Sequence, residues 1–171
     1  NKGAGGGCGT QTAAIACAGV PGGPQATNEL WNGSTWTEVG DLNGGRRHLA
    51  GVGISTAALA FGGDKPSPSP GALTEEWNGS AWTEVADLNT SRLSMGSAGA
   101  DNTSALAIGG DDFTPPTRQQ ALTESWNGSS WTEIADLNTA RFDLAGAGTQ
   151  TSALAFGGSD FSPNSTIATE T

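Results

Sequence analysis

The chain has 171 residues with 17 acidic side chains against 7 lysines and arginines, a formal charge of −10. It lacks the basic footprint with which a nucleic-acid binder displaces counterions, so the acidity reads as a solubility device. Tyrosine is absent, only 14% of residues are charged and 27 are glycine, a composition that suits strands and tight turns and is unusual for a compact enzyme. No apolar run approaches the roughly 18 residues needed to span a membrane.

Near the N-terminus, "GGGCGTQTAAIAC" reads as a hairpin carrying both cysteines, Cys8 and Cys17. Cys8 is expected opposite about Ala13 and Cys17 opposite about Ala4, so the thiols do not face each other and no disulfide is expected. The second strand, "TAAIACAG", ends at Gly19, and a Pro/Gly loop leads to "WNGSTW" at Trp31. The same order then recurs. "STAALAFGG" ends at Gly63 before "WNGSAW" at Trp77, "TSALAIGG" ends at Gly110 before "WNGSSW" at Trp126, and "TSALAFGG" ends at Gly158. The longest copies are "TEEWNGSAWTEVADLNTSR" (Thr74–Arg92) and "TESWNGSSWTEIADLNTAR" (Thr123–Arg141). Such a period belongs to solenoids, propellers or arrays.

Each unit reads as four short strands with no helical period. Asp143–Gly148 and Ser152–Gly158 are the first two in the last unit. Leu122–Trp126 and Trp131–Leu137 are the last two in the unit before. Asn127-Gly128 between them predicts a type I′ turn with positive φ at both central positions. Repeated four-stranded antiparallel units are propeller blades, so the expected fold is an all-β propeller over a single region, 1–171. Units fall at about 1–43, 44–89, 90–138 and 139–171, starting near Lys2, Arg46, Arg92 and Arg141. Small residues let the innermost strands converge on the axis. Trp31, Trp36, Trp77, Trp82, Trp126 and Trp131 are expected to fill the wedges between blades, mostly shielded. The last unit stops at "ATET", before its Trp hairpin. An arc of this kind would leave an apolar blade face at each end. Further blades of a longer chain, or a second copy completing a ring of about eight blades, would cover them.

At this point the chain resembles the kelch-repeat family. The signature is a basic residue, a small-residue strand, an apolar strand ending in Gly-Gly, a Glu before an aromatic, and a Trp shortly after. It falls on Arg46, Gly62-Gly63, Glu75, Trp77 and Trp82, and again on Arg92, Gly109-Gly110, Glu124, Trp126 and Trp131. The last unit carries Arg141 and Gly157-Gly158. Two departures are the Trp at 77 and 126, where the family usually has Tyr, and Ala18-Gly19 in place of the first doublet. The resemblance implies a kelch-like β-propeller.

It also brings copper oxidases and sialidases into view. A radical copper site needs tyrosines and two histidines, whereas this chain has only His48 and no tyrosine. No metal-ligand spacing exists, and no cofactor is expected. A sialidase-like glycan-processing enzyme needs an arginine triad and a tyrosine nucleophile. Arg46, Arg92 and Arg141 recur at one repeat position and read instead as scaffold, paired with Glu29, Glu75, Glu124 and Glu170 or with Asp41, Asp87 and Asp136. The Asn-X-Ser/Thr sequons at Asn32, Asn78, Asn89, Asn102, Asn127 and Asn164 read as turn chemistry more readily than as glycan acceptors.

The loops after Gly-Gly diverge while the rest repeats. They carry Asp64, Lys65, Asp111, Asp112, Phe113, Arg118, Asp160 and Phe161, the candidate binding residues. A rigid scaffold presenting adaptable loops is expected to be a non-catalytic binding or structural module for a protein or glycan ligand. Low-lysine, Ser/Thr-rich near-identical repeats look similar to virion or tail-associated propellers and secreted adhesins, so the expected setting is extracellular or virion-associated. The alternative is an intracellular kelch adaptor gripping a peptide.

Overall fold

In a computed structural model of the chain, the described residues are 4–19, 23–65, 70–116, 118–160 and 169–171. Lys2, Asn164 and Phe161 lie outside them. The first sheet comprises β1 (Gly6–Gly9), β2 (Ala14–Gly19), β3 (Gln25–Trp31) and β4 (Trp36–Val39). The second holds β5 (Ala50–Ile54), β6 (Ala57–Phe61), β7 (Thr74–Trp77) and β8 (Trp82–Glu84). The third holds β9 (Gly96–Asp101), β10 (Ser104–Ile108), β11 (Thr123–Trp126) and β12 (Trp131–Glu133). The fourth holds β13 (Phe142–Thr149), β14 (Ser152–Ser159) and β15 (Thr169–Glu170). Strand order follows chain order in every sheet, and β1 adjoins β5, β5 adjoins β9 and β9 adjoins β13. This is an all-β arrangement of four propeller blades, innermost strand first.

Glycine at the innermost strands is dictated by close approach. A Cβ on Gly146 would lie 2.4 Å from the Ser97 carbonyl oxygen, and one on Gly51 would lie 3.3 Å from the Gly7 nitrogen. The inner rim also repeats a strained backbone: Ala4, His48, Ser94 and Asp143 have φ of 56°, 54°, 53° and 52°. Left-handed φ is unfavourable for such residues, and hydrogen bonds between blades hold them there. The amides of His48, Ser94 and Asp143 donate to the carbonyls of Ala4 (2.6 Å), His48 (2.9 Å) and Ser94 (2.8 Å) respectively.

Between blades the packing is directional. The Ile15/Cys17 face of the first blade meets Ala58, Ala60, Trp77 and Trp82 of the second. The Leu59/Phe61 face of the second meets Ala105, Ala107, Trp126 and Trp131 of the third. Leu106 and Ile108 of the third meet Ala153 and Ala155 of the fourth. Each large-residue face thus covers the alanine face of the next blade, together with its indoles where it has them. Trp131 stands edge-on to Phe61 at 4.9 Å between centroids and donates Nε1–H to Thr74 Oγ1 at 3.1 Å.

Four details differ from the sequence reading. The Asn-Gly turns have positive φ only at Gly33, Gly79 and Gly128. Trp pairs with Trp across the hairpin (Trp31↔Trp36), so the loop has four residues, and Asn32 Oδ1 accepts the amides of Ser34 and Thr35. This side-chain turn replaces the two-residue type I′ geometry. The strand expected over Trp131–Leu137 ends at Glu133, because Asp136 Oδ1 and the Ile134 and Leu137 amides engage Thr123 and Ala121 irregularly. Cys8 pairs with Ile15 and Cys17 with Gly6, two residues from the expected register; the two cysteines form no disulfide. Finally, Trp77 and Trp126 are 1% and 0% exposed, but Trp36 is 50% exposed, since no large-residue face covers the first blade.

One ion pair anchors each of the last three blades, buried in the second and third and half-buried at Glu170 in the fourth. Arg92 Nη2 donates to Glu124 Oε1 at 2.7 Å, and Arg141 Nη2 to Glu170 Oε1 at 3.0 Å. Arg46 Nη1 lies 3.3 Å from Glu75 Oε1. The partner is therefore the glutamate; Asp87 and Asp136 bond the amides of Thr74 and Thr123 instead. The guanidinium also donates to strand-end carbonyls, Ala60 for Arg46, and Gly109 and Leu122 for Arg92. Burial pulls Arg46 and Arg92 below the ordinary arginine pKa, with Glu75 and Glu124 opposing.

Arg92→Met, which strands the buried Glu124 carboxylate, is expected to cost about 3–5 kcal/mol. Trp131→Ala is expected to cost a similar ~3–5 kcal/mol as a core truncation. Urea denaturation of each variant measures both, as a lower midpoint at unchanged slope.

Candidate binding face

The connections that follow Gly-Gly and the linkers that enter each new blade emerge at one end of the array, where they pair. Bridges join Gln25 to Arg46, Arg47 to Asp64, and Leu93 to Asp111. Directly after the glycine doublet, Asp64 and Asp111 are buried at 2% and 3% exposure. Asp64 Oδ2 accepts Arg47 Nε–H at 2.9 Å, and Asp64 Oδ1 lies 3.0 Å from His48 Nδ1. Asp111 Oδ1 accepts the Phe113 amide at 2.7 Å and Arg118 Nε–H at 3.2 Å, while Asp111 Oδ2 accepts Arg118 Nη2–H. The Arg118 guanidinium carbon sits 4.1 Å from the Phe113 ring centroid. A two-point carboxylate bond on one side and an aromatic face on the other fix that side chain.

Of the expected residues, Asp111, Asp112, Phe113 and Arg118 therefore converge on one loop. The Asp112 carboxylate accepts the Thr114 amide at 2.8 Å, which caps the turn. Asp160 is joined to this loop through its carbonyl, which accepts Gln119 Nε2–H at 3.3 Å. Asp64 lies at the neighbouring loop with Lys65, and Phe161 lies outside the described residues. Asp64 and Asp111 are anchors beneath the surface, not exposed contact residues. The side chains they hold are what reach solvent: Arg47, His48 and Arg118 are 39%, 38% and 39% exposed at the side chain. Arg46, Arg92 and Arg141 are buried, so among the described residues every lysine or arginine in contact with solvent (Arg47, Lys65, Arg118) stands at this end. Sequence reasoning missed Arg47, His48 and Gln119. The available signal was the aspartate that follows Gly-Gly in the two middle units, which called for a cation in the adjoining linker or loop.

Two cavities complete the picture. The inner strands of all four blades line an axial cleft of about 270 Å³, faced by Gly7, Cys8, Gly51, Gly53, Gly99 and Gly148. Burial pushes the Cys8 thiol up to about 12, so it is a poor nucleophile there. A cavity of about 210 Å³ between the last two blades is lined by Leu106, Ile108, Thr123, Leu137 and Ala155, the space that an indole pair fills in the two earlier wedges. Among the described residues, no group of three or more His, Cys, Asp or Glu is placed to hold a metal ion, and no helix is long and apolar enough to cross a membrane. No family model matches the chain, and no curated protein matches it.

The Cys8 shift carries a pH dependence. The native thiol keeps its proton to about 12, whereas the ordinary value for a solvated thiol is 9.0, so stability is expected to fall as pH rises through that interval. Urea midpoints at pH 8 and pH 10 measure it, and Cys8→Ala is expected to flatten the difference.

Proposed function

We propose that the chain is a non-catalytic recognition module of kelch-repeat type, whose loop end engages a protein or a glycan. The observation that carries this reading is the Asp111–Arg118–Phe113 arrangement. It fixes a half-exposed guanidinium and an aromatic ring on the longest of the loops that follow the second strands. Groups held in place before contact lose little side-chain freedom on binding, which is how a small polar and aromatic patch gains useful affinity. Arginine over an aromatic ring also offers flat stacking area with outward donors, chemistry suited to a carboxylate-bearing loop or a sugar.

The kelch reading is supported by the work each signature residue does. Arg92, Glu124 and Gly109-Gly110 form one bonded corner, and Trp126 and Trp131 fill the wedge beside it. Arg46, Arg92 and Arg141 lie one per blade, each occupied by its own glutamate, which favours scaffold over a converging triad. An extracellular or virion-surface setting accords with the low-lysine, Ser/Thr-rich repeats.

A glycan array together with a panel of immobilised surface proteins tests the proposal, probed with the parent chain and with Phe113→Ala and Arg118→Ala. Probes bound by the parent are expected to lose at least about tenfold in affinity with either substitution, with the melting temperature nearly unchanged for Phe113→Ala and lowered for Arg118→Ala, which strands the buried Asp111 carboxylate. Binding that survives both substitutions, or turnover of any probe, overturns the assignment.

A further inference from the structure

We propose that the outer face of the fourth blade, formed by Leu154, Phe156 and Thr169, is the seat for the Trp31–Trp36 hairpin of a second copy of this chain. The argument rests on the contact that the protein already makes within itself. In the second blade, Phe61 and Thr74 are paired across β6 and β7, and together they receive Trp131 of the third blade, ring to ring and Nε1–H to Oγ1. In the fourth blade, Phe156 and Thr169 are paired across β14 and β15 in the same register. Leu154 precedes Phe156 as Leu59 precedes Phe61. Among the described residues nothing covers this face, and Leu154 and Phe156 are 42% and 40% exposed.

The first blade supplies the complementary half. Its Trp31–Trp36 pair sits at 5.5 Å and 40°, against 5.4 Å and 45° for Trp126–Trp131, so the hairpin is already shaped for a seat. Trp31 Nε1–H is tied to the Gln11 carbonyl at 2.9 Å, leaving Trp36 as the projecting ring.

The two faces do not meet within one chain. The relay of rim hydrogen bonds from Asp143 to Ser94 to His48 to Ala4 is not continued by a bond from the Ala4 amide to the Asp143 carbonyl among the described residues. A Cβ on Gly62 or Gly109 would come within 2.6 Å of the next blade's arginine carbonyl, while one on Gly157 meets nothing within 4 Å. A second copy joined head to tail continues the array with a contact the sequence already encodes. Because the surfaces are unlike, the interface is heterologous.

Sedimentation velocity on residues 1–171 at micromolar concentration is expected to show two or more chains per particle. Trp36→Asp and Phe156→Asp are each expected to sediment as monomers with unchanged far-UV circular dichroism, since both side chains are exposed in the single chain. Mixed together they are expected to form a one-to-one pair, because the first variant keeps the seat and the second keeps the hairpin. Trp36→Ala is expected to weaken self-association by about 30-fold or more. A parent chain that sediments as a monomer, or a mixture of folded variants that stays monomeric, overturns the proposal. Should an aspartate variant lose its strand spectrum, Trp36→Ser and Phe156→Ser repeat the mixing measurement.

Discussion

A single carboxylate at each blade joint, buried at Glu75 and Glu124 and half-buried at Glu170, decides how the chain is organised. Glu124 uses Oε1 for the Arg92 guanidinium and Oε2 for the amide and side-chain amide of Asn89, both at 2.8 Å. Asn89 belongs to the linker leaving the second blade, Arg92 to the entry of the third, and Glu124 to its third strand. One side chain therefore fastens three segments distant in sequence. Glu75 does the same with Asn43, and Glu170 with Asn138. Sealing such charges from water is costly, so the arrangement does more for register than for gross stability. The arginine recovers part of the cost by satisfying carbonyls that the strand ends would otherwise leave without donors.

With the linker clamped, the blades can pack in only one sense. Large residues of one sheet cover alanines of the next, and the indoles close the wedge as it widens from the axis. Each blade therefore has two unlike faces, and an array of such blades has two unlike ends. The exposure of Trp36 at one end and Phe156 at the other follows from that polarity rather than from any peculiarity of the terminal blades.

Much of this was legible in the sequence because the repeat displays it several times. Strand number, blade count and the scaffold role of Arg46, Arg92 and Arg141 all follow from positions that recur with identical chemistry. What was not legible depends on geometry that a pattern does not encode. Asn-Gly suggests a two-residue turn, but the closing Trp–Trp pair fixes four residues and the asparagine side chain builds the bend. The "ADLN" segment alternates like a strand, yet its aspartate and leucine are drawn into bonds with the neighbouring loop. His48 is a lone histidine where the later units carry Ser94 and Asp143, and the strained rim backbone that these positions share with Ala4 is not written in that pattern. At the loop end, the sequence named the residues of the divergent loops, but Asp64 and Asp111 could not be recognised as buried anchors without the side chains packed over them.

Those anchors explain how the loop end can vary without disturbing the scaffold. The aspartate after Gly-Gly is held by the same backbone bridges that join loop to linker, Arg47 with Asp64 and Leu93 with Asp111. Its carboxylate is thus part of the frame, while the cation it selects is free to come from either side: Arg47 from the linker in one blade, Arg118 from the loop in the next. In a chain as acidic as this one, such pairing keeps the loop end close to neutral and leaves little long-range pull on charged partners. On the proposed reading, selectivity there comes from short-range fit, from the orientation of Arg118 donors over the Phe113 ring and from the polar edge that Gln119 and Asp160 add beside it.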